Sequence, residues 1–286
     1  MKIAIMDIGS NSVRLMMLSD GKILYKDLNT CRLGEKIAYN GYLLPQAMER
    51  GIAAISDFSR RAKEEGAEQI YAFATAAVRS ASNGSDFVRA VRERCGIEID
   101  VIDGNEEAEI GLSGALGSKD GAILDVGGAS SELIIRQNGK VIFERSCNVG
   151  AVRLFDLCER DFDLLNERIE RDISAYGDVR CDLPLYGIGG TATSLACVYL
   201  GLKTYDPVAV NGCRISLSEL KNLAVRLLTV PVEEICRQTC IGEKRAEIIG
   251  GGALLIYHIM KKTEVSFLIV NESDNLEGYA MKKGLL

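Results

Sequence analysis

An α/β fold built twice over is what this sequence predicts. Three observations lead there. Strand-like and helix-like segments alternate along the chain, and the order of the opening restarts near Ser118. The length of 286 residues also exceeds one ordinary core and suits two domains of roughly 100 to 170 residues each.

Residues 2–6 read as a short buried strand, 12–18 (SVRLMML) as its hairpin partner and 23–28 as a third strand. Pro45 opens a helical pattern that sets Met48, Ile52, Ile55 and Phe58 on one face. A strand at 69–74, a helix after Asn83, a strand at 98–102 and a helix from near Asn105 complete the first half. The second half begins as the first does, with strands at 121–125 (GAILD), 131–136 and 140–146. Helices at about 149–175 follow, then a strand at 184–188 and helices at 190–200, 216–228 and 243–261. A strand at 265–270 and a helix from about 275 close the pattern. The expected domains are 1–117 and 118–286, the last helix being a candidate to pack back on the first domain.

Hydrophobic residues at 47% and charged residues at 26% give a globular profile rather than a disordered one. The 34 Lys+Arg against 40 Asp+Glu leave a net charge of −6, which argues against broad electrostatic capture of nucleic acid. A local nest of backbone N–H groups binds phosphate whatever the global charge. The nine cysteines include no CxxC, and Cys236 and Cys240 lack the partners a zinc site needs, so they read as reduced thiols. The single histidine, His258, follows an apolar run at 253–257, which argues against a Ser-His-Asp mechanism. The opening MKIAIMDIGS reads as a strand rather than a signal peptide, and no apolar run approaches the ~20 residues that span a bilayer. The expectation is a cytoplasmic protein with no membrane or nucleic-acid partner.

Two segments carry the chemistry: Ile5–Leu15 (IMDIGSNSVRL) and Ile123–Leu133 (ILDVGGASSEL). Each is an apolar strand ending in aspartate, then glycine with small polar residues, then a return strand. Glycine lets backbone approach an oxyanion, successive N–H groups point into the turn, and serine hydroxyls add donors. The candidate phosphate contacts are Gly9, Ser10, Asn11 and Ser12 in the first loop, and Gly127, Gly128, Ala129, Ser130 and Ser131 in the second. Asp7 and Asp125 repel phosphate directly, so they imply a bridging Mg²⁺ or water. An ordinary Gly/Ser/Asn hairpin turn is the plain alternative for either loop. A third cluster, with Gly189, Gly190 and Thr191, follows a strand and opens a helix. It suits either an anion at a helix N-terminus or a tight turn capped by threonine. Gly250–Gly252 lies inside a helical pattern and reads as close helix packing. At 103–110 (DGNEEAEI) a helix begins, where acidic residues are stabilised by the helix dipole without further purpose. Neighbours on a helix lie ~100° apart, so at most one of Glu106 and Glu107 faces a shared site.

Taken together these stretches resemble the exopolyphosphatase/guanosine pentaphosphate phosphatase (Ppx/GppA) family of the actin-like ATPase superfamily. The matching segments are DIGSNSVRL at 7, RLGE at 32, ATAAVRSASN at 74, VIDGNEEAEIG at 101, DVGGASSEL at 125, NVGAVRL at 148, GIGGTATSL at 187 and KRAEIIGGGALLI at 244. The resemblance implies two actin-like (ribonuclease H-like) domains, each a mixed sheet flanked by helices, around an interdomain cleft. It implies Glu107 as the base that prepares the attacking water, Asp125 and Glu132 as ligands of metal or water, and Arg79 as a cleft arginine. With Asp7 these make a metal set of Asp7, Asp125 and Glu132 for Mg²⁺ or another divalent cation. The implied substrates are polyphosphate or guanosine pentaphosphate, and a homodimer is an expectation.

The sequence departs from the family at three places. Ala129 stands where many members have a third glycine, and Ser273–Gly278 (SDNLEG) replaces Gly-Leu-Arg-Glu-Gly and lacks its arginine. The extra C-terminal helical domains of longer members have no counterpart here. A kinase-type or actin-like ATP-binding module, and a phosphate-sensing protein without turnover, are the alternatives that the same loops allow.

Overall fold

The computed structural model describes residues 1–286. The chain opens with a meander of β1 (Lys2–Ile8), β2 (Val13–Ser19) and β3 (Lys22–Asn29). After the single-turn α1 (Ile37–Asn40) comes α2 (Pro45–Glu64), started by proline at its first turn and burying Ile52, Ile55 and Phe58. Then follow β4 (Gln69–Ala74), α3 (Ala76–Ser80), α4 (Gly84–Cys95), β5 (Ile99–Val101) and α5 (Gly104–Leu116). The second half runs β6 (Gly121–Val126), β7 (Ser131–Gln137), β8 (Lys140–Cys147), α6 (Ala151–Cys158) and α7 (Phe162–Asp172). It continues through β9 (Leu185–Ile188), α8 (Gly189–Leu200), α9 (Pro207–Val210), β10 (Arg214–Ser216), α10 (Leu217–Thr229) and α11 (Val232–Gln238). The long α12 (Glu243–Lys262), β11 (Phe267–Val270) and α13 (Asn275–Lys282) end the chain. Pattern reading misses α1, α3, α9, β10 and α11, which are too short to display a period.

The duplication is explicit in the sheets. The first has the order β3-β2-β1-β4-β5, and the second β10-β11-β9-β6-β7-β8. Read from its far edge, the second repeats the first, with β6, β7 and β8 in the places of β1, β2 and β3. In both, the central strand pairs antiparallel with the next strand and parallel with the strand on its other side. That central position explains why Ile3–Ile8 and Gly121–Val126 are buried along their length: both faces of each sheet are covered. Both sheets are mixed and flanked by helices, the architecture expected of the two halves.

Helix α5 lies between the sheets. Ile110 joins Ile3, Ile5 and Phe73 of the first sheet, while Ala108, Leu112 and Leu116 join Ile123, Ile134 and Ile188 of the second. Helix α13 returns from the second sheet and covers the first: Leu276, Tyr279 and Ala280 complete the same cluster, and Tyr279 stacks on Phe73 at 4.5 Å between ring centroids. The two helices touch backbone to backbone. A Cβ on Gly278 would lie 1.7 Å from the Ile110 carbonyl oxygen, and one on Gly114 2.0 Å from that of Asp274. Only glycine permits this crossing.

Elsewhere Gly250 and Gly252 of α12 admit Leu228 and Thr191 at close range, which is helix packing. His258 is buried, its Nε2 2.7 Å from Asn166 Oδ1. All nine cysteines are free. No helix is long and apolar enough to cross a membrane.

Candidate active site

The two hairpin loops make the same turn. Gly9 N–H donates to the Ser12 carbonyl at 3.0 Å, and Gly127 N–H donates to the Ser130 carbonyl at 3.0 Å. Each loop is held from behind by its own half. Arg32 and Gly34 N–H donate to the Asn11 and Ser10 carbonyls, while Ala151 and Val152 at the start of α6 donate to those of Gly127 and Gly128. The loops face each other directly. A Cβ on Gly128 would stand 2.7 Å from Ser10 Cβ, so glycine there is what allows the halves to meet.

Between them lies a cavity of about 80 Å³, and Gly9, Ser10, Asn11, Ser12, Gly127, Gly128 and Ser130 all line it. The third glycine cluster completes the wall with Gly189, Gly190 and Thr191. Gly189 has a φ of +75°, and a Cβ there would meet Asp125 Oδ1 at 2.6 Å; one on Gly190 would meet Arg245 Nη2 at 2.7 Å. These glycines therefore make room for a carboxylate and a guanidinium. The Thr191 hydroxyl is spent on the Val126 carbonyl at 2.6 Å, so Thr191 braces β6 to α8.

Two residues expected in the cradle are turned away from it. Ser131 is the first residue of β7, and its hydroxyl pairs with Tyr176 Oη at 2.8 Å on the far face of the sheet. Ala129 is 1% exposed and lines no part of the cavity, while its carbonyl accepts from Arg153 Nε at 3.0 Å. Its methyl group therefore does not crowd a bound anion.

Helix α5 presents its two glutamates in opposite senses. Asp103 caps the helix by accepting from Glu106 N–H at 2.8 Å. Glu106 then points outward to Lys282, and Glu107 points into the cavity, 7% exposed. Glu107 Oε2 accepts from Arg79 Nη1 at 2.9 Å, and Arg79 is anchored on the Ile102 carbonyl by the same nitrogen. Arg79 thus positions Glu107 and does not itself line the cavity. Burial, reinforced by Glu132, holds the Glu107 carboxyl well above the ordinary range, with Arg79 opposing.

The other carboxylates divide sharply. Asp7 accepts from Arg14 Nη2 at 2.5 Å and from Nε at 3.0 Å. Asp125 has no cation at hand and accepts only from Asn275 Nδ2 at 2.9 Å. Burial, together with Glu107 and Asp274, pushes Asp125 up to about 8. Glu132 accepts from Ser146 Oγ at 2.6 Å, and burial with the nearby Asp125 pushes it to about 7.

The metal set expected from the sequence is not assembled as such: no group of three carboxylates stands close enough to hold one ion. Arg14 takes one oxygen of Asp7, and Ser146 takes one of Glu132. The donor chemistry nonetheless fits a hard cation. Asp7 Oδ1 and Glu132 Oε2 are buried with no hydrogen-bond partner, and carboxylates with raised pKa values crowd one another. Mg²⁺ commonly takes one or two carboxylates and fills its octahedron with water and phosphate oxygens.

Three residues that sequence reading missed belong to the site. Arg245, in the first turn of α12, lies over Gly190 and lines the cavity; burial and Arg14 lower its pKa to about 10, with no carboxylate to compensate. Asn275, at the start of α13, holds Asp125. Thr75 adds a hydroxyl to the wall.

The chain is similar to known proteins along nearly its whole length. A bifunctional 3-dehydroquinate synthase/phosphatase of Fusobacterium nucleatum is 28% identical over 304 residues, covering 96% of this chain and 45% of that protein. Exopolyphosphatase 2 of Mycobacterium tuberculosis is 26% identical and is covered over 98% of both chains. The crystal structure of the Aquifex aeolicus member of the Ppx/GppA family superposes with a TM-score of 0.78 at 26% identity, over 100% of this chain and 98% of that one. The family model of the Ppx/GppA phosphatases matches residues 16–284, and the chain is a member of that family.

Proposed function

We propose that this protein releases the terminal phosphate of inorganic polyphosphate by hydrolysis of a phosphoanhydride bond. The observation that carries the reading is the placement of the Glu107 carboxylate on the wall of the cavity that both glycine loops enclose. Residues 1–117 and 118–286 act as two lobes, and the substrate's end lies where they meet.

In this reading the amides of Gly9–Ser12 and Gly127–Ser130, with Arg245, receive the terminal phosphoryl oxygens. Glu107 accepts a proton from a water while the water oxygen attacks phosphorus in line. The bridging P–O bond breaks, and the shortened chain leaves with its electron pair. Arg79 fixes the Glu107 carboxylate, and burial makes it a stronger base than a free glutamate. Asp7 or Glu132, through its free oxygen, together with Asp125 would hold a divalent cation, which when bound supplies positive charge to the phosphates. The free cysteines suit a reducing compartment, so the reaction is assigned to the cytoplasm.

The test is phosphate release from polyphosphate and from guanosine pentaphosphate, with and without Mg²⁺, by the wild type and by Glu107→Gln. Release by the wild type and its loss in E107Q support the reading. Equal turnover by E107Q sinks it, and release from the nucleotide alone reassigns the substrate.

A further inference from the structure

The small cavity opens toward a larger one of about 650 Å³, and Ser12, Arg14, Gly190 and Arg245 line both. A phosphate chain whose end sits in the cradle extends past these residues. The larger cavity is not basic: carboxylates match cations one for one along its wall. Moreover, three of its four cations are already engaged, Arg245 being the exception. Lys26 pairs with Glu277, and Lys244 donates to the Thr30 carbonyl at 2.9 Å. Arg14 is gripped from both sides, by Asp7 and by Asp274.

Asp274 is the unusual partner. It is 3% exposed, and its Oδ1 accepts from Leu276 N–H at 3.1 Å as the cap of α13. Its Oδ2 meets Arg14 Nη1, in the place where a guanidinium on a cleft wall would otherwise take a phosphate oxygen. Burial favours the neutral acid here, but Arg14 and Lys26 outweigh it, so Asp274 stays a carboxylate. The next residue, Asn275, faces the cradle as a neutral amide. One turn of chain therefore sets an uncharged contact beside the terminal phosphate and a negative charge just beyond it.

We propose that Asp274 is a specificity-determining residue. It occupies Arg14 as a built-in anion and selects phosphoanhydrides that carry little charge past their last few phosphates, short polyphosphates above all. This rests on the reading of the cradle as a phosphate site and concerns only what lies behind the first phosphates.

The experiment compares KM for tripolyphosphate and for a long-chain polyphosphate. In the wild type the KM per chain end is expected to be higher for the long chain. Asp274→Asn keeps an N-cap acceptor and removes the charge, and Asp274→Ser does the same with a smaller side chain. Either variant is expected to lower the long-chain KM by about tenfold while moving the tripolyphosphate KM by less than about threefold. A long-to-short KM ratio unchanged in a folded variant overturns the proposal. So does a wild type that binds long chains much more tightly than tripolyphosphate, a result that needs no variant to fold. A wild type that releases phosphate from neither chain defeats the underlying reading and this inference with it. Release that E107Q abolishes, with no chain-length effect at Asp274, defeats this inference alone.

Discussion

The two hairpin loops share a backbone and differ in charge. Both close with a glycine N–H on a serine carbonyl at 3.0 Å, and both follow an aspartate at the end of a central strand. Asp7 is neutralised by a guanidinium of its own hairpin, whereas Asp125 faces a neutral amide and crowds Glu132 and Glu107. Duplication therefore supplied one shape twice, and the side chains then specialised. The first half's aspartate is held by a guanidinium, although burial still raises its pKa. The second half's aspartate awaits a proton or a cation.

The largest expected effect separates the loops from the chemistry. Glu107→Gln leaves both hairpins intact and should lower kcat by about 10²- to 10⁴-fold in a phosphate-release assay, with the melting temperature unchanged or raised. Next comes shape. Gly128→Ala puts a methyl against Ser10 and should cost at least about tenfold in kcat/KM, because the halves can no longer meet. Gly127→Ala finds its nearest atom at an ordinary 3.4 Å and should fall within about threefold of the wild type. Equal losses in the two variants would show that the loops do not meet in the working state.

Charge gives effects of opposite sign. Asp7→Asn removes a buried partner of Arg14 and should destabilise by about 1–3 kcal/mol in chemical denaturation. Asp125→Asn removes an uncompensated carboxylate and should stabilise above about pH 8. The same asymmetry predicts the pH profile of the metal-free protein. A carboxyl whose folded-state pKa is raised binds its proton more tightly folded than unfolded. The stability it contributes is full below its unfolded pKa and is lost as pH rises through about 7 for Glu132 and about 8 for Asp125. Thermal melts should therefore fall from about pH 5 to about pH 8, and saturating Mg²⁺ should flatten the slope. The smallest effect concerns the closure of the lobes. Arg32 bonds Glu247 at 2.6 Å across the cleft, and Arg32→Ala should raise KM by no more than about threefold, measured with tripolyphosphate.

Much of this was legible in the sequence. The doubled Asp-x-Gly hairpins mark the central strand of each sheet, and the 100° step of a helix separates Glu107 from Glu106 before any coordinates. Ser131 leaves the cradle because the strand's period of two already begins inside the loop motif. Once β7 starts at Ser131, its side chain must fall opposite to Glu132, with Leu133 and Ile135 in the core of the second half. Arg245 and Asn275 escape sequence reasoning for another reason. They reach the cradle from α12 and α13, more than a hundred residues from either hairpin, and only the packing of those helices brings them in. The three expected metal carboxylates do not form one close cluster, and Arg14 and Ser146, two partners with no motif of their own, each take one oxygen of Asp7 and Glu132.

The backbone crossing of α5 and α13 has a bearing on how the protein is made. The first sheet's inner face, with Ile3, Ile5 and Phe73, receives part of its cover from residues near 276–280, beside Ile110 of α5. While a ribosome is still extending the middle of the chain, that face stays bare and sticky. The opening hundred residues therefore cannot mature as a free-standing unit; nascent chains stalled before Leu276 should recruit holdase chaperones, and release of the final helix should free them.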